Sequence, residues 1–334
     1  MANSNRKKAV TLKDIAHATG VSVTTVSHVL NKTRHVNSET RKSVLSALDT
    51  LAYDTSNRSA KRARVNKALL GVIIADIRED YYVSLVKAIE TVASEYGMSL
   101  LLCDSEMDSK KEEKNIQTML EREVSGIIIA PIDVRFFPTE LRDTAVPIVL
   151  VDRQYDKHNR MFVGINNHES GFLAYSHLAK KGCKKIAFIG YAESVYTVQK
   201  RISGYKSAVY ENQTQSDPAI LNISYGKEDS FTKIYEFLQG GQFDGLVCAT
   251  SDICYEVISV IDESHLRIPE DIRIITYDDN KWLDYLKYPV SVITQPTADI
   301  GAFAVEKIVQ FNESPIESSK IRTEVFFEVS FIDR

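Results

Sequence analysis

Four cysteines, one tryptophan and fourteen glycines are few for a chain of 334 residues, and each shortage closes off a class of protein. Cys103, Cys183, Cys248 and Cys254 have no paired two-residue spacing, and three of them sit in apolar runs, so neither a zinc site nor a disulfide framework is expected. No Gly-x-Gly-x-x-Gly follows a strand and no Gly-x4-Gly-Lys-Ser/Thr occurs, while Gly240-Gly241 reads as a helix stop. With no His-Glu-x-x-His and no evident nucleophile elbow either, a nucleotide-dependent kinase or dehydrogenase lacks its phosphate cradle, and no enzyme, cofactor or metal is expected. No apolar stretch approaches the ~18 residues that span a bilayer, and the polar, basic beginning has no apolar core of an export signal. The length suits a small module followed by one or two larger domains.

What is present begins with charge. Residues 1–67 hold thirteen Lys or Arg against four Asp or Glu, and the remainder holds 28 against 41. A basic head on an acidic body suits a polyanion at one end only. Thr11 and Asp14 have the spacing of a capping box, with Leu12, Ile15 and Ala16 on one face behind it. Gly20 permits the turn that ends this helix. Val23, Val26, Val29 and Leu30 then repeat at helical spacing, with Ser22, Thr24, Thr25, Ser27 and His28 on other faces. After a loop, Asn37 caps a third segment whose Val44, Ala47, Leu48 and Leu51 recur at three and four. Three short helices of this kind make an all-α helix-turn-helix head, whose second helix reads base edges in the major groove.

The runs Thr11-Leu12-Lys13-Asp14-Ile15-Ala16, Gly20-Val21-Ser22, Thr24-Thr25-Val26-Ser27, Val29-Leu30-Asn31 and Glu39-Thr40-Arg41 resemble the signature of the lac repressor family, the head being most similar to its purine-responsive members. The resemblance implies that Val23, Thr24, His28 and Arg34 face bases, and that Ser22, Thr25 and Asn31 hold phosphate. Thr11 and Ser27 complete the expected DNA-binding set. Val23 departs from the pattern and offers only apolar contact, for instance to a thymine methyl. The next segment departs further. Where the family has Tyr-x-Pro-Asn and then Ala-Arg-x-Leu, this chain has Tyr53-Asp54-Thr55-Ser56-Asn57 and then Ala60-Lys61-Arg62, so the proline is absent and Arg62 replaces the wedging leucine. An apolar wedge kinks the duplex, whereas arginine enters a narrow A·T-rich minor groove without prying bases apart. The alternative for 55–67 is a basic linker.

From residue 69 onward apolar runs alternate with helical patterns: runs at 69–75, 99–103, 126–130 and 148–151, helices at 82–96 and 111–122. After a pause at 162–165 the rhythm resumes, with runs at 185–189, 220–223, 245–249 and 272–277 and helices at 168–181, 201–211, 231–238 and 253–264. Strict alternation means parallel sheets with helices on both faces. Two doubly wound parallel-sheet subdomains fit, an α/β two-lobed core like that of periplasmic binding proteins. The expected division is a head at 1–54, a hinge or linker at 55–67, and an effector-binding and dimerisation domain at 68–334. The resemblance implies three crossings between lobes, so that lobe 1 takes about 68–164 and 295–322 and lobe 2 about 165–294 and 323–334. The helix at 298–311 then returns to the first lobe, and the strand at 324–331 joins the second.

Ligands of open parallel sheets bind outside the carboxyl ends of the strands. Tyr81 and Tyr82, just after the first strand, can stack on a ring. By resemblance, the Asp152-Arg153 pair, Arg153 above all, Arg201 on the helix at 201–211 with Thr197 one turn earlier, and Asp252 after the strand ending near Ala249 face the effector. Tyr255 and Val257 depart from the usual Ala and Gly. The segment from Tyr277 to Leu286 resembles sugar-responsive members more than purine-responsive ones, and adds Asp278, Asn280 and Trp282. A carboxylate at a strand end accepts two hydroxyls of one sugar, and guanidiniums donate to hydroxyl, phosphate or carboxylate. A neutral sugar, a sugar phosphate and a sugar acid all stay open.

Together these imply a cytoplasmic, nucleoid-associated repressor of carbohydrate metabolism genes, bound as a homodimer to pseudo-palindromic double-stranded operator DNA and controlled by a small sugar-type effector. Regulation by a purine or another metabolite is the alternative. A periplasmic-type sugar receptor shares the two lobes but not the basic head, and the absence of a leucine heptad tail argues against a tetramer.

Overall fold

The computed structural model of the protein describes residues 12–22, 25, 26, 29, 37–50, 69–156, 160–191, 195–212, 217–224, 230–314 and 324–334, in two compact units, 1–66 and 67–334. In the first unit, α1 (Leu12–Thr19) and α2 (Ser38–Thr50) flank residues 25, 26 and 29, which are also helical. Ile15, Val26, Val29 and Val44 are buried together, with Val21 and Ala47 packed against them. The expected periodicity closes a small core. The Thr19 hydroxyl donates to the Ile15 carbonyl at 2.7 Å, and Gly20 at φ +68° turns the chain. Ser22 Oγ accepts the Thr25 amide at 3.0 Å and lies 2.8 Å from Thr25 Oγ1, an N-cap arrangement. Asn37 Oδ1 likewise accepts the Glu39 amide at 2.8 Å. Of the expected DNA-binding residues, Ser22 is exposed and Thr25 half-buried. Thr11, Val23, Thr24, Ser27, His28, Asn31, Arg34 and Arg62 lie outside the described residues, as does the hinge segment 55–67.

Among the described residues, the second unit contains two six-stranded sheets. The first is laid down by β1 (Leu69–Ile74), α3 (Asp80–Glu95), β2 (Ser99–Asp104), α4 (Ser109–Glu121), β3 (Gly126–Ile129), α5 (Thr139–Asp143), β4 (Ile148–Val151) and β5 (Met161–Ile165). The second follows from α6 (Asn167–Lys180), β6 (Ile186–Tyr191), α7 (Tyr196–Asn212), β7 (Ala219–Ile223), α8 (Ser230–Gly241), β8 (Gly245–Cys248), α9 (Ser251–Glu263), β9 (Arg273–Tyr277) and β10 (Val290–Thr294). Then come α10 (Thr297–Glu313), β11 (Glu324–Phe327) and β12 (Ser330–Ile332). Strand order is β11-β5-β4-β3-β1-β2 in one sheet and β12-β10-β9-β8-β6-β7 in the other, parallel throughout except for β12 on β10. Strands such as Ile148–Val151 and Gly126–Ile129 are apolar at every position because helices cover both faces.

The late helix α10 returns to the first lobe: Ile308 packs at Gly126 of β3, and Gly301 lies against Ala88 and Ile89 of α3. The expected single strand at 324–331 is corrected. Residues 324–327 pair with β5 in the first sheet, and only Ser330–Ile332 joins the second. The reason is that its aromatics serve both lobes. Phe326 packs on Phe162 and Phe327 on Phe303, whereas Phe331 stacks on His177.

One core carboxyl gives the first lobe a pH signature. Glu112 accepts the Ile132 amide at 2.8 Å and the Tyr155 hydroxyl at 3.3 Å, and burial pushes its pKa from 4.5 up to about 7. A carboxyl whose folded pKa is raised stabilises the fold below about pH 4.5, and that contribution is lost as pH rises through about 7, on the order of 3 kcal/mol at most. In urea unfolding at pH 5 and pH 8, Glu112→Gln is expected to fall less in stability with rising pH than the parent does. Identical pH profiles would remove this role.

Candidate functional site

The carboxyl ends of the strands of both lobes converge on one cleft, which encloses a cavity of about 30 Å³. On the first lobe β1 runs into Asp76, whose buried carboxylate is held by Arg78 at 2.5–3.1 Å. Glu79, Asp80 and Tyr81 follow at the start of α3 and line the cleft. Asp152, immediately after β4, has φ 60°, and Asp278, immediately after β9, has φ 66°. Both strands thus end on an aspartate in the left-handed region, which Asp tolerates better than most side chains. The two carboxylates belong to opposite lobes and both line the cavity.

Asp152 Oδ2 accepts the Tyr82 hydroxyl at 2.7 Å and Arg153 Nε at 3.2 Å, so the first-lobe guanidinium is neutralised next door. On the second lobe Arg201 projects from α7, donates from Nε to Asn167 Oδ1 at 2.8 Å and from Nη1 to the Ala249 carbonyl at 2.6 Å, and stacks 3.7 Å over the Tyr277 ring. Thr197 lies one turn before it on the same face. At the end of β8 the Thr250 hydroxyl caps α9 by accepting the Ile253 amide, and Ser251 and Asp252 follow. Gln295, after β10, donates to Asp278 Oδ1 at 2.9 Å.

Acidity sets the electrostatics. Burial pushes Glu79 up to about 8, with Arg153 opposing, and Asp278 up to about 6, with Arg201 and Gln295 opposing. Asp252 is raised by burial and then by Asp80 and Asp76. Glu79 still opens on the cleft by part of its surface, but protein surrounds its carboxyl.

Among the expected effector residues, the cleft brings together Tyr81, Arg153, Thr197, Arg201, Asp252 and Asp278. Three others do not line it. Tyr82 is fully buried and acts on Asp152, and Asn280 is buried with its amide on the Asp278 carbonyl. Trp282 is half-buried, edge-on to Tyr255 with ring centroids 5.7 Å apart. Asp152, the lesser member of the expected Asp152-Arg153 pair, lines the cleft too, and Glu79, Asp80, Thr250, Ser251 and Gln295 join from outside the expected set, although each follows a strand end as directly. A second cavity of about 200 Å³ lies on the adjacent face of α7, against Tyr196 and Lys200. It is larger, but it has no strand-end carboxylate, so the chemistry sits in the first. Among the described residues no group of His, Cys, Asp and Glu is placed to hold a metal ion, and no helix is long and apolar enough to cross a membrane.

Comparison with known proteins agrees with this architecture. Residues 11–56 match the bacterial regulatory proteins of the lacI family, and residues 70–312 match the periplasmic binding protein domain. The chain is 30% identical to the HTH-type transcriptional regulator RegA of Clostridium saccharobutylicum over 90% of its length and 92% of that protein's. It is 29% identical to the ribose operon repressor of Haemophilus influenzae, over 92% of its own length and 93% of that repressor's. Among solved structures, the lac repressor dimer bound to operator and the anti-inducer ONPF matches with a TM-score of 0.67 at 25% identity, covering 98% of each chain.

Proposed function

The chain belongs to the lacI family of bacterial regulatory proteins, and from that premise we propose that it is a cytoplasmic, homodimeric repressor whose grip on a pseudo-palindromic operator is set by a sugar-type effector in the cleft. The observation that carries the reading is that one chain joins a head matching this family to two lobes whose strand ends, with Arg153, Arg201, Asp252 and Asp278, face one cavity. Carboxylates that accept paired hydroxyls and guanidiniums that donate to them are a sugar's chemistry. The likeness to a lac repressor dimer on its operator and to a ribose operon repressor supports both halves. Binding between hinged lobes changes their angle, and that angle sets the spacing of the two heads.

The test is selection by the purified full chain from a random duplex pool at near-physiological salt. Enrichment of a two-fold symmetric sequence is the expected result, and no enrichment over random duplex would overturn the reading. The departure at Arg62 has its own consequence. We infer that its guanidinium adds a counterion-releasing contact where relatives wedge a leucine. Arg62→Leu is then expected to flatten the slope of log K against log salt by about 0.9 and to bend the operator more. An unchanged slope and bend would contradict it.

A further inference from the structure

Building on the regulator reading above, we propose that the cleft's effector is a small polyhydroxylated molecule carrying a protonated primary amine, an amino sugar by chemical class, with its ammonium held by Glu79, Asp80, Asp252 and the Tyr81 hydroxyl.

Three observations carry this. The first is an unbalanced charge: among the described residues, five carboxyl groups line the cavity against two guanidiniums. Arg153 is committed to Asp152, and Arg201 to Asn167, the Ala249 carbonyl and the Tyr277 ring, with Asp278 nearby. The side chains of Glu79, Asp80 and Asp252 make no hydrogen bond or ion pair among the described residues, and Arg78 is held by Asp76. The N-termini of α3 and α9 offset about half a charge each, which leaves this wall anionic.

The second is an unused hydroxyl. Tyr81 is 6% exposed, lines the cleft, and its hydroxyl has no hydrogen-bond partner in the structure among the described residues. A buried polar atom left unpaired is costly. An ammonium brings three donors and no acceptor, the complement of three carboxylates and a phenolic oxygen.

The third is where the acids stand. Glu79 and Asp80 belong to the first lobe, Asp252 and Asp278 to the second, so closing the cleft drives like charges together. A cation between them turns that repulsion into attraction across the gap. A neutral sugar leaves the repulsion in place, and a phosphate or carboxylate ligand adds to it. The same amine displaces the proton that Glu79 keeps up to about pH 8 under burial and the fields of Asp152, Asp252 and Asp76, with Arg153 opposing. Affinity for the amine therefore rises with pH up to about 7.5, by at most tenfold per pH unit for one proton released, and levels off above that as the sugar's own amine, close to the α-amino range, loses its proton.

The experiment uses the full-length dimer and matched probes: D-glucosamine, D-galactosamine and D-mannosamine against D-glucose, D-galactose and D-mannose, with glucose 6-phosphate and glucuronate as anionic arms, followed by thermal shift and calorimetry. At least one amine is expected to bind about tenfold or more tighter than its neutral counterpart, a difference of about 1.4 kcal/mol. Glu79→Gln or Asp252→Asn is expected to erase most of that preference. Without any ligand, at about pH 9 where Glu79 has lost its proton, the combined E79Q/D252N variant is expected to melt higher than the parent, because two repelling carboxylates are gone. A neutral or anionic probe bound better than its amine, no stabilisation by any amine, or a double variant no more stable than the parent would each overturn the proposal. Operator selection on the same preparation separates the two levels. If symmetric DNA is still preferred while the amines fail, only this inference falls; if that preference is absent, the regulator reading falls whatever the amines do.

Discussion

Replacing Gly204 by alanine is expected to destabilise the second lobe by about 3 kcal/mol, an overpacking cost at the upper end of its usual range. Helices α6 and α7 cross in backbone contact: a Cβ on Gly204 would stand 1.8 Å from the His168 carbonyl oxygen and 2.8 Å from the Phe172 amide nitrogen. Neither atom can swing aside as a side-chain tip can, so the helices must separate. On the other side of the same crossing, a Cβ on Gly171 would stand 2.1 Å from the carbonyl oxygen of Arg201 itself. Separation therefore moves the residue that carries a cleft guanidinium, and lost effector affinity is expected alongside lost stability. Urea unfolding of the full chain checks the first effect and calorimetry the second. A stability change below about 1 kcal/mol would mean the crossing relaxes freely.

Arg201→Ala is expected to remove the effector response altogether. The guanidinium is 3% exposed and holds three partners from three elements, Asn167 at the start of α6, the carbonyl after β8 and the ring that ends β9. Truncation leaves the Ala249 carbonyl and Asn167 Oδ1 unpaired, which costs about 1–3 kcal/mol each, and takes away a charged donor at the cleft. Because that variant also loses stability, Arg201→Lys is the sharper test. It keeps the charge but loses the planar fork, so one of the two hydrogen bonds goes. Effector affinity is expected to fall by about tenfold to a hundredfold, the worth of one charge-assisted hydrogen bond. A lysine variant with parental affinity would show that charge alone suffices and that the fork is irrelevant to binding.

Much of this architecture was legible in the chain because burial on both faces writes itself as unbroken apolar runs. The runs at Gly126–Ile129, Ile148–Val151 and Gly245–Cys248 have no other easy reading. The last strand was not legible, because Val325, Phe327, Val329 and Phe331 alternate as one strand would while the segment pairs with two sheets. The same strand-end rule that singled out Tyr81, Asp252 and Asp278 covers Glu79, Asp80, Thr250 and Gln295. Acids and hydroxyls at helix starts also have an ordinary capping role, and Thr250 does cap α9. Trp282 belongs to the expected set through the resemblance of the segment 277–286, and a resemblance of sequence does not say which way a ring points. It packs against Tyr255, a residue whose departure from the family's small side chain supplies the partner ring for that contact. The left-handed turns at Asp152 and Asp278 leave no periodic trace at all.

Underlying these expectations is a linkage: the cleft sets the hold of the head on DNA. The measurement that tests it most directly is operator affinity titrated at several fixed concentrations of a ligand that stabilises the effector domain, together with the ligand's affinity for free and operator-bound dimer. Linkage requires the two shifts to be the same factor, of either sign, with about 5- to 150-fold expected for a coupling of 1–3 kcal/mol. An operator affinity indifferent to a ligand that saturates the cleft would contradict the account, because the lobes would then hold a ligand without governing DNA.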